Sequence, residues 1–291
     1  MTTAQLTIAD YKTPEESWWC PGCGDFGVLA ALQKALHELA IQPENVAIVA
    51  GIGCSGKIGN YVNSYNIHVT HGRTMPAALG LKLANRELTV IAAGGDGDGY
   101  AIGMGHFMHA VRRNADITYI VMDNQIYGLT KGQTSPTSAH GFETKSTPAG
   151  NIEHNVRPLQ LAVAGGATFV AQGFSSNQKQ LVDIFKQAIQ HKGFSLVNTQ
   201  SPCVTFNKVN TYAWFKQKLV EAEKIEGYDP TSRVAAMKLL SEHDEMVTGI
   251  IYRNEIETFE QQLPGFREQG ITNQDWTVAP DQFQKVLATF R

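Results

Sequence analysis

From Asp25 onward the chain repeats apolar residues at intervals of three and four, in "DFGVLAALQKALHELAI", the spacing that lines one face of an amphipathic helix. That helix is predicted to begin just beyond Cys23. "NVAIVAG", "LTVIAAGG" and "ITYIVMD" are short, continuous apolar runs, and the shorter "YNIHVT" reads as a further strand; such runs mark strands buried on both faces. Between them "MPAALGLKLANR", opened by Pro76, and "IGMGHFMHAVRRN" read as helices. "ATFVAQ", "NQKQLVDIFKQAIQHK" and "FSLVNTQ" add a strand, a helix and a strand. This alternation predicts an α/β fold, a parallel sheet with helices on both faces. From Gln125 to about Asn155 the chain is rich in Gly, Thr, Ser and Pro, a length of loop that points to function. Beyond Asn210 the alternation fades into charged, helical-looking segments, so residues 1–210 are expected to form the main domain and 211–291 a C-terminal helical extension.

Composition narrows the function classes. Charged residues are 18% of the 291 and hydrophobic residues 43%; against the ~25% charge usual in soluble proteins, this points to surface covered by a partner. A net charge of -3 gives no general attraction to nucleic acid or anionic membrane. No apolar run approaches the ~18 residues of a membrane span, and "MTTAQLTIADYK" lacks the basic-then-apolar order of a signal peptide. The expected location is the cytoplasm, where four cysteines are metal ligands or catalytic thiols rather than disulfides.

Two glycine motifs carry candidate chemistry. Gly51, Gly53 and Gly56 have the GxGxxG spacing after a strand, yet no Asp or Glu lies between Glu44 and Glu87 to hold the ribose of a dinucleotide. These glycines are therefore expected only to turn the backbone at the carboxyl end of a strand, where open parallel sheets bind ligands. In "AAGGDGDGYAIG", Gly95, Asp96 and Gly97 end a strand, and Asn124 ends the next in "VMDNQIYG". One crossover helix fits between them, so both side chains emerge side by side at the same sheet edge. A carboxylate, an amide oxygen and a nearby carbonyl are hard ligands suited to a magnesium ion bound to a diphosphate. This pairing resembles the diphosphate-binding signature of thiamine diphosphate enzymes. The resemblance makes Asp96 and Asn124 ligands of Mg2+, with the carbonyl of Ile126 the third. Asp98 holds the diphosphate, or the loop, or is simply solvated.

The four cysteines, Cys20, Cys23, Cys54 and Cys203, each flank a predicted core element near that edge. "WCPGC" departs from the redox box in its Pro-Gly order, and "TPEESWW" is a poor strand to lead into one. Thiolates serve zinc and iron-sulfur clusters alike, and composition does not separate the two. "WCPGCGDFGVLAAL", "GIGCSGKIGNY", "THGRTMPAALGLKLANR", "GGDGDGYAIGMGH", "MDNQIYGLTKGQTSPTS" and "SPCVTFN" together resemble the β subunit of 2-oxoacid:ferredoxin oxidoreductases, over about residues 15 to 210.

That resemblance implies that Cys20, Cys23, Cys54 and Cys203 bind one [4Fe-4S] cluster beside thiamine diphosphate, with Trp18 and Trp19 shielding it. It implies CoA-dependent oxidative decarboxylation of a 2-oxoacid to acyl-CoA and CO2, with electrons passing through the cluster to ferredoxin, reversible as reductive carboxylation. It also implies a partner α subunit, separate or fused as γα, which supplies the Glu for the aminopyrimidine, in a dimer of heterodimers inactive without that partner. Gly53, Gly95, Gly97 and Asp98 are expected to contact the cofactor, and Lys57, His71, Arg73 and Lys131 to meet anionic groups. Relatives favouring pyruvate carry a polar residue where Leu129 stands, so the resemblance favours 2-oxoglutarate, with pyruvate the alternative. A non-oxidative thiamine decarboxylase with structural zinc, and a non-catalytic assembly subunit, are the competing readings. His106 and His109, three apart on a helix, are expected to pack rather than bind metal.

Overall fold

A computed structural model of the chain describes residues 6–264, 271–273, 275 and 277–290. In chain order its main elements are α1 (Asp25–Glu38), β1 (Val46–Ala50), α2 (Ile58–Tyr61), β2 (Tyr65–His68), α3 (Thr74–Ala84), β3 (Thr89–Gly95), α4 (Met104–Arg113) and β4 (Ile117–Asp123). There follow α5 (Pro158–Gly165), β5 (Phe169–Phe174), α6 (Gln178–Gln190), β6 (Phe194–Gln200), α7 (Tyr212–Lys218), β7 (Val220–Glu221), α8 (Arg233–Glu242), β8 (Val247–Arg253), α9 (Phe259–Gln262) and α10 (Pro280–Ala288). Eight strands form one sheet in the order β2-β1-β3-β4-β6-β5-β8-β7. All named pairs run parallel except β5 with β8.

The unbroken apolar runs become strands because both faces of the sheet are covered. Ile48, Ala50, Ile91 and Val197 face a core completed by Leu32 and Leu36 of α1 and Phe185 of α6. Val49, Val90, Val121 and Leu196 face the opposite core, with Phe107 of α4, Leu159 of α5 and Leu240 of α8. Alternate residues of one strand thus serve different cores, which is why no polar position interrupts the run. The helix expected to open at Pro76 starts two residues earlier, at Thr74; proline is tolerated in the first turn because its missing N–H has no partner there.

The region after 210 corrects the expectation of a helical extension. It supplies α7, α8, α9 and α10, but also β7 and β8, and β8 extends the sheet beside β5. Ile251 and Tyr252 belong to the main core. Glu245, just before β8, accepts the backbone N–H groups of Gln160 (2.8 Å) and Leu159 (3.4 Å), capping the start of α5. Among the described residues no helix is long and apolar enough to cross a membrane.

Burial pushes the Glu245 carboxyl up to about 7 from 4.5, opposed by those two amides. The folded chain therefore keeps a proton that the unfolded chain releases, and stability falls as pH rises between those values. The stabilisation lost through this one group across the window is about 3 kcal/mol. Denaturant titrations at pH 5 and 7.5 should show a pH penalty smaller by that order in Glu245→Gln; equal penalties in both proteins would refute this.

Candidate functional site

The strand order reverses about β1, with β2 on one side and β3 on the other. The loops leaving the carboxyl ends of β1 and β3 therefore part, and open parallel sheets bind ligands in such a crevice. A cavity of about 110 Å³ lies there, walled by Gly53 and Cys54 after β1, Gly95 to Asp98 after β3, Asn124 and Ile126 to Thr130 after β4, and His71. A larger cavity, about 490 Å³, is lined by Phe169, His191 and Arg253. Phe169 begins β5 and Arg253 ends the antiparallel β8, so that cavity opens at the opposite edge, away from these loops.

Backbone crowding explains the glycines. A Cβ on Gly56 would stand 1.7 Å from the Gly51 carbonyl oxygen, and one on Gly97 2.1 Å from the Tyr127 ring. The first pair folds the β1 loop on itself, and the second lets the β4 loop close over the β3 loop.

Asp96 and Asn124 both reach the crevice, as their spacing predicts. Asp96 is buried and pairs with no cationic side chain among the described residues. Burial raises its proton affinity, against hydrogen bonds from Ser135, Thr137 and the Asn124 backbone N–H. Thr137 Oγ1 lies 2.7 Å from Asp96 Oδ2 and 2.8 Å from Asp123 Oδ1. One hydroxyl proton cannot satisfy two carboxylates, so one acid carries a proton of its own. Burial, then the neighbouring Asp96, pushes Asp123 up to about 7. Asn124 Oδ1 accepts the Ile126 N–H at 3.1 Å, and its carbonyl accepts from Asn207 Nδ2 at 3.1 Å.

Asp98 ties the crevice walls together. Its Oδ1 accepts from Ile52 N (3.0 Å), Gly72 N (2.8 Å) and His71 Nδ1 (2.8 Å), and its Oδ2 from Thr74 Oγ1 (3.0 Å). Of the three uses open to this acid, holding the loop is the one these contacts serve. The loop after Gln125 is likewise anchored: Thr137 holds both acids, and Ser138 Oγ donates to the Gln125 carbonyl at 2.7 Å.

The four cysteines come to the same edge. A Cβ on Gly128 would meet Cys203 Sγ at 3.5 Å and Cys54 Sγ at 3.9 Å. Cys20 is exposed, the other three partly buried, and none forms a disulfide. Burial, then Asp25, raises Cys54 to about 11, and the same two causes raise Cys23 further; Cys203 adds to both. Among the described residues, no three His, Cys, Asp or Glu side chains are gathered tightly enough to hold an ion as they stand. Trp19 is buried and donates Nε1–H to the Cys54 carbonyl at 2.7 Å. Trp18 is 78% exposed, with Lys57 Nζ 5.1 Å from its ring.

Leu129 and His71 line the crevice, whereas Lys57, Arg73 and Lys131 do not. Lys57 is drawn to the Trp18 ring, Arg73 is exposed, and Lys131 sits exposed in the turn Gly128–Lys131, its N–H on the Gly128 carbonyl at 3.0 Å. His106 and His109 lie on α4; His109 is exposed and accepts from Arg112 Nε at 3.0 Å. Thr137, Asn207 and Thr74 were not singled out by the sequence, because isolated Thr and Asn residues in a polar loop carry no periodic signal.

Comparison with known proteins gives this geometry a family. Residues 51–199 match the thiamine pyrophosphate enzyme C-terminal TPP binding domain, and residues 203–268 the C-terminal region of the pyruvate ferredoxin oxidoreductase beta subunit. The chain is 44% identical to subunit beta of 2-oxoacid:ferredoxin oxidoreductase 2 from Aeropyrum pernix, covering 88% of each. It is 40% identical to the 2-oxoglutarate synthase subunit KorB of Archaeoglobus fulgidus, covering 69% of this chain and 76% of that one. The solved 2-oxoglutarate:ferredoxin oxidoreductase from Magnetococcus marinus, with 2-oxoglutarate, coenzyme A and succinyl-CoA bound, superposes with a TM-score of 0.90 at 37% identity, over 100% of this chain and 98% of that one. The likeness thus continues past residue 210, where the recognisable motifs stop. The chain carries a thiamine diphosphate-binding domain and belongs to the β-subunit family of the 2-oxoacid:ferredoxin oxidoreductases.

Proposed function

We propose that the crevice holds thiamine diphosphate and Mg2+, that the four cysteines hold one [4Fe-4S] cluster beside it, and that 2-oxoglutarate is the favoured 2-oxoacid. The observation that carries this reading is Asp96, a carboxyl buried without a cation, facing one cavity together with Asn124 and Cys54. A buried anion needs a positive partner, and a dication held by Asp96, Asn124 Oδ1 and the Ile126 carbonyl meets that need with oxygen donors alone. With Asp96 ionised on the metal, Asp123 keeps the proton in the contact with Thr137. The raised Cys23 and Cys54 thiols fit a site whose ligands give up protons only to a cationic centre.

When bound, thiamine diphosphate supplies the electron sink for cleaving the carboxyl from a 2-oxoacid, and a [4Fe-4S] cluster accepts electrons singly. The chain's own residues orient and enclose. Asp98 fixes the β1 and β3 loops relative to Thr74 and His71; Cys54 stands on the wall common to the crevice and the cysteines. The catalytic glutamate for the aminopyrimidine, and the remaining wall of the crevice, come from a partner α subunit, and electrons leave to ferredoxin from a cytoplasmic assembly, a dimer of heterodimers.

The 2-oxoglutarate proposal is supported by the 2-oxoglutarate enzymes among the relatives and by Leu129, half-exposed within the crevice wall. The pyruvate name of the C-terminal family favours the second reading. CoA-dependent ferredoxin reduction by the complex reconstituted with its α subunit, measured with each acid, separates them. In that assay Leu129→Asn should shift the ratio of kcat/KM values toward pyruvate by about tenfold; an unchanged ratio removes Leu129 from the specificity argument.

A further inference from the structure

We propose that Asp25 is a positioning residue whose carboxylate, set between Ser55 and Ser201, ties together the three loops that carry Cys23, Cys54 and Cys203. The inference rests on the cluster reading of those cysteines and adds to it the device that fixes their spacing before any metal arrives.

Asp25 is the first residue of α1, directly after "CPGCG", and is 1% exposed. Its Oδ1 accepts from Ser201 Oγ at 2.5 Å and its Oδ2 from Ser55 Oγ at 3.3 Å. Ser55 follows Cys54, and Ser201 stands two residues before Cys203. One side chain therefore contacts the loops after β1 and β6 while its own backbone continues the loop of Cys23. A second tie lies alongside, from Gly24 N to the Pro202 carbonyl at 3.1 Å. Gly24 allows it: a Cβ there would stand 2.5 Å from Ser201 Oγ.

An acid at a helix start also complements the helix dipole, and that duty alone would be met by an exposed side chain. Here the carboxylate is withdrawn from water with no cation paired to it among the described residues, and its side-chain partners are the two serines and the Cys23 thiol. Burial without a counter-charge is unfavourable, so its retention is accounted for by what it holds. Cys20, three residues before Cys23 on the same loop, is already exposed, so freeing the loops changes its access least and its thiol is the internal control.

The test is per-cysteine alkylation by iodoacetamide, read by mass spectrometry on the full chain stripped of metal by chelation. In Asp25→Ala, Cys54 and Cys203 should react about tenfold faster than in the wild type, as freed loops open more often, while Cys20 changes less than about twofold. Asp25→Asn removes the charge but can still bond both serines, so it should stay near the wild-type rates. Ser201→Ala should accelerate Cys203 and leave Cys54 unchanged, and this decides the matter if Asp25→Ala does not fold. Equal acceleration in Asp25→Asn and Asp25→Ala would mean that charge alone governs the thiols and would overturn the proposal. So would unchanged rates in Asp25→Ala, or acceleration of all four cysteines together. Iron and sulfide content of the unstripped wild type is read on the same preparation: their absence refutes the cluster reading, while the alkylation rates still decide whether Asp25 ties the loops.

Discussion

Asp96→Ala should lower activity in the reconstituted complex by at least about 100-fold, because on the proposed reading it removes a ligand of Mg2+ from a site where charge and geometry act together. Binding should fail with it: titration of Mg2+ and thiamine diphosphate into the variant should give no saturable heat at concentrations that saturate the wild type. The fold should persist. Asp96 is a buried carboxyl with raised proton affinity and no cationic partner among the described residues, so in the metal-free chain the relief of an unfavourable burial offsets part of what is lost with its bonds to Ser135 and Thr137. A complete loss of cofactor binding in a chain that still unfolds cooperatively, with only a modest loss of thermal stability, is the expected signature. Full activity in this variant would show that the diphosphate assignment is wrong.

The second large effect is expected at Cys54. It lines the crevice with Asp96, and its sulfur flanks Gly128 together with that of Cys203. Cys54→Ser exchanges a soft thiolate for a hard oxygen, so iron per chain should fall below about half of the wild-type value and visible absorption should fall with it. Electron transfer to ferredoxin should drop by more than about 100-fold, since the thiamine site alone has no single-electron acceptor. Thiamine diphosphate affinity should change less than about threefold, because Asp96 and Asn124 are untouched. Retained iron in Cys54→Ser would exclude this cysteine as a ligand. Lost thiamine affinity would mean that the two sites are not separable.

The contrast between these variants bears on how much the sequence discloses. The parallel sheet is legible because its strands are buried on both faces, which turns "NVAIVAG" and "ITYIVMD" into unmistakable apolar runs. Asp96 and Asn124 are legible because each ends such a run, and the parallel topology brings strand ends to one edge. β8 is not: "VTGIIYR" follows the charged "SEHDEM", and its place beside β5 depends on an antiparallel pairing that local pattern does not encode. α5 was missed for a related reason, since "PLQLAVAG" comes directly after a loop rich in glycine and hydroxyl residues, and part of its cap arrives from Glu245, far along the chain.

The roles of the acids are less legible still. Asp98 reads as the second acid of a turn, yet its bonds go to Ile52, Gly72, His71 and Thr74, which belong to other loops. Asp25 reads as an ordinary helix-start acid until its serines are seen, one of them 176 residues away. Lys57, Arg73 and Lys131 are set beside motifs by the sequence but lie off the crevice wall, Lys57 against the Trp18 ring, because adjacency in sequence does not fix which way a long side chain runs.

The central claim is that one edge of one sheet holds a thiamine diphosphate site and an iron-sulfur cluster side by side. Anaerobic purification of the wild-type complex, with iron, sulfide, zinc and thiamine assayed on the same sample and a visible spectrum taken before and after dithionite, tests it most directly. About four iron and four sulfide per β subunit, with a broad band near roughly 400 nm that bleaches on reduction, and close to one thiamine diphosphate, is the predicted result. Zinc in place of iron, with thiamine still present, would contradict the claim and leave a thiamine enzyme with no electron carrier in this chain.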